Sequence, residues 1–216
     1  MKTLRILIAD DHDIVREGLK TLLAAGKHFH VCGEAATGRE AVALALDLKP
    51  DVAVLDFSMP DLNGLEATRR IRKALPKTEV LILTMHDSET LAREVLAAGA
   101  RGFVVKTHAK RQLVAAVTAL AQHQPFFAGA VSAPALAALL HPAQSAPNLA
   151  PDRLTPRERE VVQLIAEGRT SKDIALELGL SVKTADAHRA NVMRKLDLHS
   201  VSKLVRYAVR NNIAQA

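Results

Sequence analysis

Short apolar runs alternate with amphipathic stretches along the first part of the chain. The runs are rich in Val, Ile and Leu, and they lie at residues 4–9, 30–34, 52–55, 80–84 and 102–105. Between them, apolar residues recur at helical spacing. Continuous apolar runs separated by helices are typical of a parallel sheet that is covered on both faces. Five such repeats predict an α/β fold, a doubly wound parallel-sheet (βα)5 domain, over residues 1–120.

The last part of the chain, residues 152–216, has helical spacing throughout. Thr155 and Glu158 have the spacing of a capping box, with Pro156 at the first helical position. Glycine often ends a helix, and we expect Gly179 to end the second helix. The other N-cap candidates are Ser171, Ser181 and Ser200. This part is therefore predicted to be an all-α domain of four helices.

The stretch between these two parts has a different composition. Residues 121–150 contain no Asp, Glu, Lys or Arg and include four prolines among many alanines. An uncharged, Ala/Pro-rich stretch between two charged, periodic regions is typical of a linker. We expect a linker over residues 121–151, in which residues 132–140 could form a short helix.

Charge and cysteine content narrow the functional class. The formal net charge is +6, and residues 151–216 contribute 12 basic and 8 acidic side chains to it. A basic C-terminal region is expected of a protein that binds a phosphate backbone. The single cysteine excludes an internal disulfide framework, and we found no apolar stretch long enough to span a membrane. The expected location is the cytoplasm, without membrane contact.

Acidic, hydroxyl and basic side chains follow four of the five predicted strands. Asp10 and Asp11 follow the first strand, Asp56 the third, Thr84 ends the fourth and Lys106 follows the fifth. In a doubly wound sheet, ligands bind outside the carboxyl ends of the strands. Three carboxylates in one cleft repel one another and require a cation, and oxygen ligands favour Mg²⁺.

These residue types suit the transfer of a phosphoryl group. Asp56 is the expected nucleophile and would form an aspartyl phosphate. Lys106 would neutralise the developing charge, and the Thr84 hydroxyl would donate a hydrogen bond to a phosphoryl oxygen.

The same residues lie in motifs that resemble the receiver domain of two-component response regulators. The motifs are IADDH at 8–12, LDFSMP at 55–60 with Gly64, LT at 83–84, and GFVVK at 102–106. The resemblance implies that Asp56 accepts a phosphoryl group from a sensor histidine kinase. It implies that Asp10, Asp11, Asp56 and the backbone carbonyl of Ser58 bind Mg²⁺. It also implies that Phe103 is the aromatic switch residue.

The C-terminal part has the spacing of a helix-turn-helix. Ala175 and Ala185 are small enough to let two helices cross closely, and Gly179 permits the left-handed backbone of the turn. The expected buried face of the third helix consists of Val182, Ala185, Val192 and Leu196. The opposite face would enter the major groove, and it consists of Lys183, Asp186, Ala187, Ala190, Asn191 and Arg194.

Each side chain type on that helix suggests a contact. Arg189, Lys195 and the cap hydroxyls suit phosphates, Thr184 is a further candidate for contact with DNA, and Asn191 could read adenine. Either Ala187 or Ala190 could contact a thymine methyl group, whereas Asp186 would repel phosphates and could accept from a cytosine amine. From spacing alone, a plain four-helix bundle with a solvated basic face is the alternative.

Residues 152–213 resemble the LuxR-type output domain of the NarL/FixJ family. The resemblance is carried by LTPRERE at 154–160 and SVKTADAHRANVMRKL at 181–196. It implies a transcription regulator whose binding to double-stranded promoter DNA is controlled by phosphorylation. We expect a homodimer on two half-sites, with RNA polymerase as a further partner.

Two other classes remain open at this point. An aspartyl-phosphate phosphatase also has a nucleophilic Asp after its first strand, and the run Asp11-His12-Asp13 superficially allows it. Alternatively, the first domain could be a constitutive dimerisation module. Our interpretation is a regulator with no enzymatic activity beyond its own phosphotransfer and autodephosphorylation.

Overall fold

The computed structural model describes residues 3–26, 28–128, 154–211 and 213–214. These residues form two compact units, one that contains a β-sheet and one that contains the C-terminal helices. Most of the predicted linker, including the predicted helix at 132–140, lies outside the described residues.

The first unit is a parallel sheet with helices in its crossovers, which confirms the predicted fold class. In chain order its elements are β1 Leu4–Ala9, α1 Asp13–Ala24, β2 Phe29–Ala35, α2 Gly38–Leu48, β3 Val52–Asp56, α3 Gly64–Ala74, β4 Glu79–Thr84, α4 Glu89–Ala97, β5 Gly102–Val105, α5 Ala109–Ala121 and β6 Phe126–Phe127. The strand order is β2-β1-β3-β4-β5-β6. All residues of β3 and β4 are buried, as expected of strands covered on both faces.

The sixth strand lies within the stretch that the sequence assigned to the linker. Phe126 and Phe127 pair in parallel with Gly102 and Phe103 of β5. The chain is held there by backbone hydrogen bonds from Phe126 N to Arg101 O and from Ala128 N to Phe103 O. An apolar pair that satisfies the open edge of β5 therefore extends the sheet beyond five strands.

The second unit consists of α6 Pro156–Ala166, α7 Ser171–Leu178, α8 Val182–Lys195 and α9 Val201–Arg210. The Thr155–Glu158 capping box is present at the start of α6. Gly179 ends α7 in the left-handed conformation with φ 64°. The apolar core of this second unit includes Ala175 and Ala185, the small residues expected at the helix crossing.

Two predictions about these helices were wrong. The N-cap of α7 is Thr170 and not Ser171, because Thr170 and Asp173 form a reciprocal capping box. Val182 is exposed and does not belong to the buried face of α8. It is the first residue of that helix, and helical side chains point toward the N-terminus, so its side chain projects past the packed turns.

Candidate functional site

The predicted acid pocket forms at the carboxyl ends of the strands. Lys106 joins two of its carboxylates, because its Nζ lies 2.7 Å from Asp10 Oδ2 and 2.8 Å from Asp56 Oδ1. Both aspartates are buried, with exposed fractions of 0% and 2%. Side chains separated by up to 96 positions in the chain thus meet because parallel strands end at one edge of the sheet.

Burial and Lys106 have opposite effects on the carboxylate of Asp56. Burial of Asp56 raises its pKa, and the neighbouring carboxylates of Asp10 and Asp11 raise it further, whereas Lys106 lowers it; the resulting pKa is about 6. Burial alone would lower the pKa of Lys106, but its contacts with Asp10 and Asp56 outweigh that effect and raise it. The pocket therefore keeps a charged ammonium beside a carboxylate that burial has deprived of water.

The loop after β1 carries a group of side chains that could hold a metal ion. Ligand atoms of Asp10, Asp11 and His12 all lie within 4.8 Å of one another. His12 Nδ1 is 2.8 Å from Asp11 Oδ1, and the His12 N–H donates to Asp10 Oδ1 at 3.0 Å. Asp56 is connected to this group through Lys106. Ser58 lies half-buried two residues beyond β3.

Thr84, the last residue of β4, and Phe103, within β5, are also buried. Thr84 is 1% exposed, and its hydroxyl accepts a hydrogen bond from His86 N at 3.1 Å. Phe103 is fully buried, and its ring stacks on Phe127 of β6 with a centroid distance of 6.4 Å and an interplanar angle of 11°. The predicted switch aromatic therefore contacts the strand that the sequence did not predict.

In the second unit, the outward face of α8 is exposed as expected. Its exposed residues include Lys183, Thr184, Asp186, Ala187, Ala190, Asn191 and Arg194. The Arg194 guanidinium donates to Asn191 Oδ1 at 3.0 Å, so these two side chains present one joined donor and acceptor surface. The hydroxyl of Thr184 lies 2.8 Å from that of the N-cap Ser181.

Two of the residues assigned to phosphate contacts are placed differently. Arg189 is half-buried. Lys195 Nζ lies 2.7 Å from Glu158 Oε1 and 2.8 Å from Oε2, so it already pairs with a carboxylate of α6. A phosphate contact of Lys195 stays a prediction, and it would have to compete with this ion pair.

Comparisons with known families agree with both units. Residues 6–118 match the response regulator receiver domain, and residues 152–208 match the family described as bacterial regulatory proteins, luxR family. The chain belongs to the response regulators with a LuxR-type helix-turn-helix. This membership favours a transcription regulator over the phosphatase and over a plain helical bundle.

Relatives of this response regulator span its whole length. Transcriptional regulatory protein LiaR of Bacillus subtilis is 36% identical over 97% of this chain and 99% of its own. Response regulator protein VraR of Staphylococcus aureus is 33% identical over 99% of this chain and 100% of its own. A structure of Salmonella typhimurium RcsB has a TM-score of 0.64 at 28% identity and covers 96% of this chain and 97% of its own.

Three residues of the regulator contribute to the site without having been assigned a role from the sequence. An added Cβ at Gly64 would lie 2.2 Å from the backbone oxygen of Asp56, so only glycine lets α3 begin this close to the end of β3. Arg16 donates to the backbone oxygen of Asp10 at 2.7 Å. Phe127 contacts Phe103. Gly64 accompanies the LDFSMP motif at 55–60. Arg16 and Phe127 carry no sequence signal, because Arg16 binds a backbone oxygen and the partner of Phe127 lies on another strand.

None of the helices in the described ranges combines the length and apolar character needed to cross a bilayer.

Proposed function

We propose that phosphorylation of Asp56 by a sensor histidine kinase controls the binding of this regulator to promoter DNA. The observation that carries the proposal is the Lys106 bridge between two buried carboxylates, Asp10 and Asp56. A surface ion pair needs no such burial. Burying one carboxylate beside another costs free energy even with a cation between them, and such buried, interacting carboxylates are typical of functional sites.

In the phosphotransfer step, an Asp56 carboxylate oxygen attacks the phosphorus of a phosphohistidine. The P–N bond breaks, and the imidazole of the kinase leaves with the electron pair. Lys106 moves from a carboxylate to the phosphoryl oxygens, whose negative charge it stabilises. The Thr84 hydroxyl donates a hydrogen bond to another phosphoryl oxygen. Hydrolysis of the acyl phosphate then restores the carboxylate.

The donor set fits a magnesium ion. Two buried carboxylates, Asp10 and Asp56, share the Lys106 ammonium, so excess negative charge stays in a buried place, and the more exposed Asp11 adds a third hard-oxygen donor beside them. Asp10, Asp11, Asp56 and the Ser58 carbonyl would hold Mg²⁺. When bound, the ion supplies charge neutralisation for the phosphoryl oxygens.

The output is proposed to be sequence-specific DNA binding by α8. One RcsB structure is described as a complex with DNA and another as two RcsB dimers bound to two parallel DNAs. By analogy, two copies of this chain would place their α8 helices in successive major grooves of two half-sites. Asn191, Arg194 and Lys183 lie on the face that would approach the bases.

Phosphorylation would act as a population shift between two receiver conformations. The phosphoryl group would draw Thr84 toward the pocket and stabilise Phe103 in its buried position, which changes the surface between β4 and α5 and thereby favours dimerisation or releases the output helices. Phe103 is already buried here, so the shift would stabilise an available arrangement.

The test of the phosphotransfer step uses acetyl phosphate with Mg²⁺ and a gel that retards phosphorylated protein. Wild-type protein and the control variant Asp47→Asn, which removes an exposed carboxylate of α2, should be phosphorylated, whereas Asp56→Asn should not. Turnover of a generic phosphate ester that depends on Asp11 but not on Asp56 would support the phosphatase instead.

A further inference from the structure

Arg16 of α1 connects its helix to the loop that carries two proposed metal ligands. Its Nη1 donates to the backbone oxygen of Asp10 at 2.7 Å, and its Nη2 contacts the Asp13 carboxylate. The Arg16 side chain is only 17% exposed, whereas that of Asp13 is 88% exposed. The residue is therefore packed against the loop and is not part of an ordinary surface ion pair.

The carbonyl that Arg16 binds belongs to the peptide group between Asp10 and Asp11. A peptide group is planar, so fixing its carbonyl fixes the direction in which the chain leaves toward Asp11. Other contacts hold Asp10 itself: its N–H donates to Ala35 O at 3.2 Å, and its Oδ1 accepts from His12 N. Among the contacts described, only that of Arg16 fixes the carbonyl of this peptide with a side chain.

We propose that Arg16 is a positioning residue for the metal site, which it serves by orienting the Asp10–Asp11 peptide. The proposal rests on the assignment of Asp10 and Asp11 as Mg²⁺ ligands. Arginine suits the task because its planar fork donates to two acceptors at a fixed angle, whereas a lysine ammonium is a point charge on a flexible stem.

The direction in which metal affinity changes when Arg16 is replaced distinguishes a positioning role from an effect of its charge. A guanidinium near a divalent cation repels it, so loss of the charge alone would strengthen metal binding. Loss of positioning would weaken it, because groups that orient metal ligands contribute about 10–100-fold to affinity. The two explanations thus predict changes in opposite directions.

The experiment measures Mn²⁺ binding to the full chain from the electron paramagnetic resonance signal of free Mn²⁺, with Mg²⁺ as competitor. We expect Arg16→Met to bind Mn²⁺ about tenfold more weakly than wild type. Arg16→Lys, which keeps the charge but not the fork, should lie between the two. The matched control is Arg93→Met, since Arg93 pairs with Glu89 of its own helix at 2.6 Å; it should bind like wild type.

A second readout excludes a general loss of structure. The rate of phosphorylation by acetyl phosphate at saturating Mg²⁺ should be the same in Arg16→Met and wild type, while the Mg²⁺ concentration for half-maximal rate rises. Unchanged or tighter Mn²⁺ binding by Arg16→Met, wild-type binding by Arg16→Lys, or a lower rate even at saturating Mg²⁺ would each overturn the proposal. If wild-type protein bound no Mn²⁺, the metal site itself would be contradicted, and this inference with it.

Discussion

The acid pocket of the receiver and the outward face of α8 are built in opposite ways. Asp10, Asp56, Thr84 and Phe103 are almost entirely buried, and the polar ones have partners within the protein. The residues of the α8 face are exposed. The described contacts of this face join residues that are close in sequence, such as Asn191 and Arg194.

This difference fits what each site is proposed to act on. A small phosphoryl group brings little surface of its own, so the protein has to hold charge and donors in place before it arrives. DNA brings a large polyanionic surface that completes the contacts of an exposed face. The pocket should therefore respond to single substitutions far more strongly than the face.

The largest effect on the pocket side is expected for Lys106→Met. It removes the ammonium that bridges Asp10 and Asp56 and that would stabilise the phosphoryl oxygens. Loss of one such group costs about 100- to 1000-fold in rate. The measurement is the phosphorylation rate with acetyl phosphate, and Lys73→Met on the exposed surface of α3 is the control. A loss of less than about tenfold would remove the contrast between the two sites.

On the α8 side, Asn191→Ala should have a moderate effect. A side chain that reads one base contributes about 1–3 kcal/mol to discrimination, and the change would also free Arg194 from its partner. Affinity for the cognate operator should fall while affinity for unrelated DNA stays the same, as measured by fluorescence anisotropy at fixed salt. Equal losses on both DNAs would show that Asn191 contacts the backbone and does not read a base.

The smallest effect is expected for the ion pair within the second unit. Burial opposes ionisation of Glu158, but Lys195 and the Thr155 cap outweigh it, so the pKa of Glu158 lies below its ordinary value of 4.5. A lowered pKa in the folded state stabilises the fold above the ordinary pKa, and that stability is lost as the pH falls through the folded pKa.

The measurement is urea unfolding between pH 7 and pH 3, followed by the fluorescence of Tyr207. This is the only tyrosine in a chain without tryptophan, so it reports on the second unit. Glu158→Gln should reduce the loss of stability at acidic pH. An identical pH dependence in wild type and variant would assign the acid sensitivity to other carboxylates.

The pocket was predictable from the sequence because strand ends in a parallel sheet necessarily meet. Asp10, Asp56, Thr84 and Lys106 each follow or end an apolar run, and their convergence required no knowledge of side-chain contacts. Caps that are local in sequence were also predictable, as Thr155 and Ser181 show.

What the sequence did not reveal depends on long-range pairing. The strand at Phe126–Phe127 forms because β5 has an open edge, which two apolar residues in an uncharged stretch do not indicate by themselves. Likewise, Lys195 pairs with Glu158, which lies 37 positions away in the chain. Helical spacing does not reveal this partner, and it predicted only a phosphate contact for Lys195. Val182 fits the helical spacing, but it is the first residue of α8 and its side chain is 42% exposed.

The most direct test compares promoter DNA binding with and without acetyl phosphate, in wild type and in Asp56→Ala. We expect the phosphodonor with Mg²⁺ to strengthen binding of the wild-type chain and to leave binding of the variant unchanged. Equal affinity of wild-type protein in the two conditions, or equal strengthening of the variant, would contradict it; the first outcome would make the receiver a constitutive dimerisation module.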